Sequence, residues 1–154
     1  MILTEPFGSS TIIPMPGAGA VSSFAIKPNG SKAGTLRQIS ASVGDKGFAA
    51  CWIAIDPTGQ YAYISNNLSD TLSTYSVGAN GRLTLLAADA GAVGKGPNDL
   101  TVVGEGNASF LYVLDSSDGT VGAFKVNLRD GSLMSLQVVH GLPVNDGAAG
   151  LAAY

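Results

Sequence analysis

Charge is what this chain has least of. Asp, Glu, Lys and Arg make up only 12% of its residues, against roughly 25% in ordinary soluble domains. The eight Lys and Arg are scattered, and the formal net charge is −3. Neither nucleic acid nor an anionic membrane is therefore an expected partner. There is one cysteine, Cys51, and one histidine, His140. An intrachain disulfide is ruled out. Structural zinc, which usually takes four ligands, is not expected, and no motif calls for another cofactor. No apolar run approaches the roughly 20 residues needed to span a bilayer. Met1-Ile2-Leu3-Thr4-Glu5 lacks the basic start and long apolar region of a secretory signal. The chain reads as soluble, with its compartment unspecified.

What is present is hydrophobic residues at 45% and 21 glycines. That mixture suits short buried strands joined by tight turns. No useful length of chain shows the 3.6-residue apolar period of a helix. Apolar and polar residues instead alternate over five to seven positions, the period of a half-buried strand.

The pattern recurs. Tyr61-Ala62-Tyr63-Ile64-Ser65-Asn66 resembles Phe110-Leu111-Tyr112-Val113-Leu114-Asp115. Thr71–Val77 resembles Thr120–Val126, and Asn80-Gly81-Arg82-Leu83 resembles Asp130-Gly131-Ser132-Leu133, each at a spacing of about 50 residues. A partial earlier copy runs through Met1–Glu5, Ala20–Ile26, Lys27-Pro28-Asn29-Gly30 and Thr35–Ile39. Asn-Gly and Asp-Gly supply the positive-φ positions of tight hairpin turns. A period of this length in short strands marks a β-propeller.

With strands lettered A to D from the axis outward, the expected order is B (about 1–6), C (20–26) and D (34–40). Next come A (50–56), B (60–66), C (71–77) and D (82–87). Then follow A (98–103), B (109–115), C (120–126), D (132–138) and a last A (148–153). The predicted fold is all-β: a partial propeller of about three four-stranded antiparallel blades, starting on a B strand and ending on an A strand. As one domain over 1–154 it comprises a partial blade (1–40), two blades (50–87 and 98–138) and the inner strand of an incomplete blade (148–154). Propellers close with about 4–8 blades, and open strand edges invite pairing. The expected partner is a second copy, joined head to tail into a six-bladed ring, with the strand of Leu151 covering the Met1–Glu5 edge.

The run Cys51-Trp52-Ile53-Ala54-Ile55-Asp56-Pro57-Thr58-Gly59-Gln60-Tyr61-Ala62-Tyr63-Ile64-Ser65-Asn66 carries a family resemblance, as do Pro97-Asn98-Asp99-Leu100 and Gly147-Ala148-Ala149-Gly150-Leu151-Ala152-Ala153. They resemble the C-terminal blades of bacterial lactonase-family propellers, the 6-phosphogluconolactonase and 3-carboxymuconate cyclase-like proteins. The resemblance implies a seven-bladed ancestor of greater length, and a truncated gene or fragment here. It also implies hydrolysis of a sugar lactone by Arg and His on inner strands. The inner strands here carry neither residue. The expectation is a lactonase-like fragment without robust catalysis by itself, or a non-catalytic binding or scaffold propeller, with a small sugar or lactone as ligand.

Several residues are candidates for chemistry. Asp99, beside Asn98, could serve as a general base at the axial mouth; the plainer reading is an Asp accepting backbone N–H groups after Pro97. Glu5, Asn66 and Asp115 each end a B strand and could hold a cation or polyol if they converged, or cap one turn per blade. Cys51 lacks an adjacent base, with Lys46 the nearest cation in sequence, and reads as a small buried hydrophobe. Trp52 could stack on a ligand. His140 and Asp146 share a loop, with no Gly-x-Ser-x-Gly elbow to complete a triad. Gly91-Ala92-Val93-Gly94-Lys95-Gly96 has the look of a phosphate loop without its spacing, and leaves Lys95 as a possible anion contact. No metal site is predicted.

Overall fold

The computed structural model describes residues 1–7, 18–144 and 147–153. Among the described residues eleven strands form and there is no helix. The first sheet contains β1 (Ile2–Glu5), β2 (Ala20–Ile26) and β3 (Leu36–Gly44). The second contains β4 (Ala50–Ile55), β5 (Tyr61–Asn66), β6 (Thr71–Val77) and β7 (Leu83–Ala87). The third contains β8 (Pro97–Glu105), β9 (Ala108–Asp115), β10 (Thr120–Val126) and β11 (Leu133–His140). Each sheet is an antiparallel meander in chain order. All-β character and sheets of three, four and four strands agree with a partial propeller.

The sheets share irregularities as well as order. β4 and β8 each slip register near their start, around Cys51 and Asn98. All three outer hairpins slip one position after Ser23, Thr74 and Ala123. A bulge bends its strand and increases twist, so placing one at the same point gives the three sheets the same curvature.

Two apolar cores lie between the sheets. Val21 of the first sheet packs with Ala50, Ala62, Ile64, Tyr75 and Leu83 of the second. Tyr61, Tyr63 and Leu72 of the second pack with Leu111, Val113, Phe124 and Val126 of the third. Each fully buried aromatic removes on the order of 150–250 Å² from water. These faces therefore supply most of the drive for stacking.

Polar links fix the stacking register. Ser23 Oγ donates to Gly81 O at 2.7 Å. Tyr63 Oη donates to Gly131 O at 3.1 Å, and Tyr75 Oη donates back to Val43 O at 2.9 Å. Gly81 and Gly131 sit at φ of 81° and 75° in the turns before β7 and β11, a region that suits glycine.

Two boundaries differ from expectation. His140 was assigned to a loop but ends β11, opposite Thr120. Ladder pairing with Thr120 carries the strand beyond position 138. Residues 147–153, expected to hold a last inner strand, run without strand pairing. Tyr154 and Asp146 lie outside the described residues.

Stacking on a positive-φ turn gives a direct test. Alanine at Gly59, where φ is 73° and the surrounding space is open, should cost about 1 kcal/mol from backbone strain alone. Alanine at Gly131 meets the same strain and also runs into the Tyr61 ring, so it should cost at least about 2 kcal/mol. Urea denaturation of the two variants should show this order.

Candidate functional site

The inner strands are the place to look for ligand chemistry, because they border the propeller axis. At the β4 bulge, the Cys51 Sγ donor lies 3.9 Å from Asn98 Oδ1 at the β8 bulge. The backbone slip in each strand turns these two side chains toward each other. Burial pushes the Cys51 thiol above its ordinary value, so it stays protonated and is a poor nucleophile. Its carbonyl accepts a hydrogen bond from Thr4 Oγ1 at 3.1 Å, which ties β1 to β4.

Asp99 is buried and both of its carboxylate oxygens are engaged. Oδ1 accepts Leu100 N–H at 2.7 Å, and Oδ2 accepts Leu151 N–H at 2.5 Å. The turn-capping reading is close, but the second partner comes from the far end of the chain. Asp99 joins β8 to the 147–153 segment. Trp52, at the matching register position of β4, is 48% exposed. One register position thus carries a consumed carboxylate in one blade and an open aromatic face in the other.

Glu5, Asn66 and Asp115 are placed in three separate sheets, each held by its own blade. Glu5 accepts from Ser22 Oγ through one oxygen and from Ser42 Oγ at 2.6 Å through the other. Asn66 Nδ2 donates to Thr71 Oγ1 at 3.2 Å and Ser73 Oγ at 2.8 Å. Asp115 accepts from Thr120 Oγ1 at 3.3 Å. Where Ser22 and Ser73 supply hydroxyls, the third blade has Gly122. Neither Asp115 Oδ1 nor Asn66 Oδ1 has a hydrogen-bond partner among the described residues. Burial raises the Asp115 pKa from the ordinary 3.8 to about 6, against the lowering influence of Gly94 N–H and Thr120.

The segment Gly94-Lys95-Gly96 does present successive backbone N–H groups, as a phosphate loop would. Two of them are already used. Asp118 Oδ2 takes Lys95 N–H at 2.7 Å, and Asp70 Oδ1 takes Gly96 N–H at 2.8 Å. The Lys95 residue itself is exposed.

The sequence did not single out Asp70, Asp118, Asp45 or Asp56. Asp56 caps its own turn, accepting Gln60 and Tyr61 N–H at 2.9 and 2.8 Å; Asp-Pro-Thr-Gly was the available signal. Asp45 is fully buried, with one oxygen on Gly47 N–H at 2.7 Å and its pKa raised by burial. Asp70 and Asp118 act on a loop more than twenty residues away, which no local pattern reveals. Among the described residues no group of three or more His, Cys, Asp or Glu is arranged to hold a metal.

Stacked four-stranded meanders around an inner rim define a propeller. Residues 17–145 match the family model described as lactonase, seven-bladed β-propeller, and the chain belongs to that family. Two solved structures share the fold. One is a functionally unknown protein from Desulfotomaculum acetoxidans, at 23% identity and a TM-score of 0.69, covering 85% of this chain and 38% of that one. The other is the periplasmic gluconolactonase of Pseudomonas aeruginosa, at 24% identity and a TM-score of 0.64, covering 86% of this chain and 36% of that one. This chain therefore spans little more than a third of either. No curated protein gives a significant match.

The buried Asp115 carries a pH signature. The folded state binds its proton more tightly than the unfolded chain does. The group therefore costs stability as pH rises from about 4 to about 6, and the full cost persists above that. Asp115→Asn should stabilise the protein at pH 7.5 by up to about 3 kcal/mol and leave it nearly unchanged at pH 4. Paired denaturation curves at the two pH values measure this.

Proposed function

We propose that the chain is a non-catalytic part of a lactonase-family propeller. It is a blade scaffold whose inner rim can hold a small sugar or lactone but does not hydrolyse one by itself. The observation that carries this is the state of Asp99. It is the one carboxylate that the sequence reading put forward as an inner-strand base, and both its oxygens accept backbone N–H groups. A carboxylate held this way has each oxygen committed to a structural backbone N–H group, and withdrawing it would leave the buried Leu100 N–H and the partly buried Leu151 N–H unpaired. The remaining inner-rim groups suit binding. Trp52 offers an exposed aromatic face, and Asn98 an amide that meets Cys51 on the neighbouring inner strand. Sugars are commonly held by such a mixture of apolar surface and a few polar groups.

The gluconolactonase neighbour suggests the probe. With glucono-lactone, this chain should give hydrolysis no faster than buffer. Titration should shift the emission of Trp52, the single tryptophan. Turnover above buffer that disappears in Asp99→Asn would overturn the reading.

A further inference from the structure

The two outward faces of the blade stack have the make-up of its interior, and their corresponding positions show what fits them. On the face of each blade that meets the preceding one, register aligns Leu3 with Ile64 and Val113, and Leu36 with Leu83 and Leu133. It likewise aligns Ile26 with Val77 and Val126. Ile64 and Leu83 are 0% and 5% exposed, and Val113 and Val126 are 0% and 3%. Leu3, Ile26 and Leu36 are 50%, 53% and 50% exposed. The first blade thus carries core residues in water.

The opposite end shows the complement. Tyr61 and Tyr63 are the side chains with which the second blade grips the third. Their counterparts in the third blade are Phe110 and Tyr112, and both are only partly buried. In the grip, Tyr61 lies over the positive-φ Gly131, whose carbonyl accepts from the Tyr63 hydroxyl. The first blade has the matching turn. Gly34, at φ 82°, donates to Lys27 O as Gly131 donates to Asn127 O. Lys27 N donates to Thr35 O as Asn127 N donates to Ser132 O. Gly131 is covered by Tyr61 and Gly81 by Ile39, yet nothing lies within 4 Å of the Cβ direction of Gly34.

We infer that these faces are an interaction surface for a second copy of this chain. Phe110 of one copy covers Gly34 of the other, and the Tyr112 hydroxyl donates to the Gly34 carbonyl. Leu3, Ile26 and Leu36 are buried beneath the third blade. The interface is head to tail, so two copies form two identical junctions and close a ring of six blades' worth of sheet. Once one junction has formed, the second is intramolecular and gains from high effective concentration. Six is within the usual propeller range. This inference stands whether or not the rim binds sugar.

Size-exclusion chromatography with light scattering at micromolar concentration tests it. The wild-type chain should have the mass of two copies. Leu36→Arg and Phe110→Arg, each altering a residue that is not fully buried in one chain, should be folded by circular dichroism and have the mass of one. Tyr112→Phe should weaken the dimer several-fold. Leu68→Arg, on the turn after β5, should leave it intact. Mixing Leu36→Arg with Phe110→Arg should restore a dimer, because the mixed pair has one junction with neither substitution. A monomeric wild-type chain would overturn the inference. A ladder of open-ended masses, or a mixture that stays monomeric, would overturn the closed head-to-tail arrangement.

Discussion

A thin sheet with apolar side chains on both faces cannot satisfy itself. Each blade here is one such sheet, and everything else in the molecule follows from the need to cover both sides. The coverage is not generic oil against oil. Between the second and third blades the Tyr61 ring sits over Gly131, whose positive φ leaves room for it, and the Tyr63 hydroxyl takes up that glycine's carbonyl; between the first and second, Ile39 covers Gly81, whose carbonyl accepts from Ser23 Oγ. The apolar contact supplies free energy in proportion to area. The hydroxyl contributes only on the order of 1 kcal/mol, but it admits one register of stacking. Shape and polarity are read at a single residue, and that residue must be glycine.

This constraint explains which parts of the fold the sequence displayed. Asn80-Gly81 and Asp130-Gly131 stand out as hairpin turns, and the alternation on either side places the strands to within a few residues. The first blade was harder because its turn is longer. Lys27-Pro28-Asn29-Gly30 reads as the turn, whereas the residue whose backbone hydrogen bonding matches Gly131 is Gly34. Both glycines have positive φ, and only the backbone hydrogen bonds distinguish them. His140 was misplaced for a similar reason: strand ends are decided by ladder partners, and Thr120 is distant in sequence.

The candidate site was less legible than the fold because its determinants are long-range. Composition could show that the inner strands carry neither Arg nor His. It could not show that Asp99 reaches Leu151, or that Gly94-Lys95-Gly96 is closed by carboxylates from two different blades. Those carboxylates are a substitute for ligand. They satisfy two backbone N–H groups on the connection that delivers the chain to the inner strand β8. The features that most resemble a binding loop in sequence are thus occupied by the protein's own side chains.

Glu5, Asn66 and Asp115 show how structural and chemical roles can be told apart. Asn66 and Asp115 end the second strand of a four-stranded sheet, Glu5 ends the strand that matches them in register, and each faces the start of the strand that follows. The position needs a side chain with two polar atoms at the right reach, and tolerates a carboxylate or an amide. An acid–base pair has no such freedom, because an amide neither gives nor takes the proton. Local supply varies too: Ser22 and Ser73 offer hydroxyls, while Gly122 offers none, and the third blade accepts an under-satisfied Asp115 with a raised pKa. A perturbed carboxylate is often a mark of catalysis. Here the same perturbation arises from burial at a scaffold position, and the neighbouring blades show what that position is for.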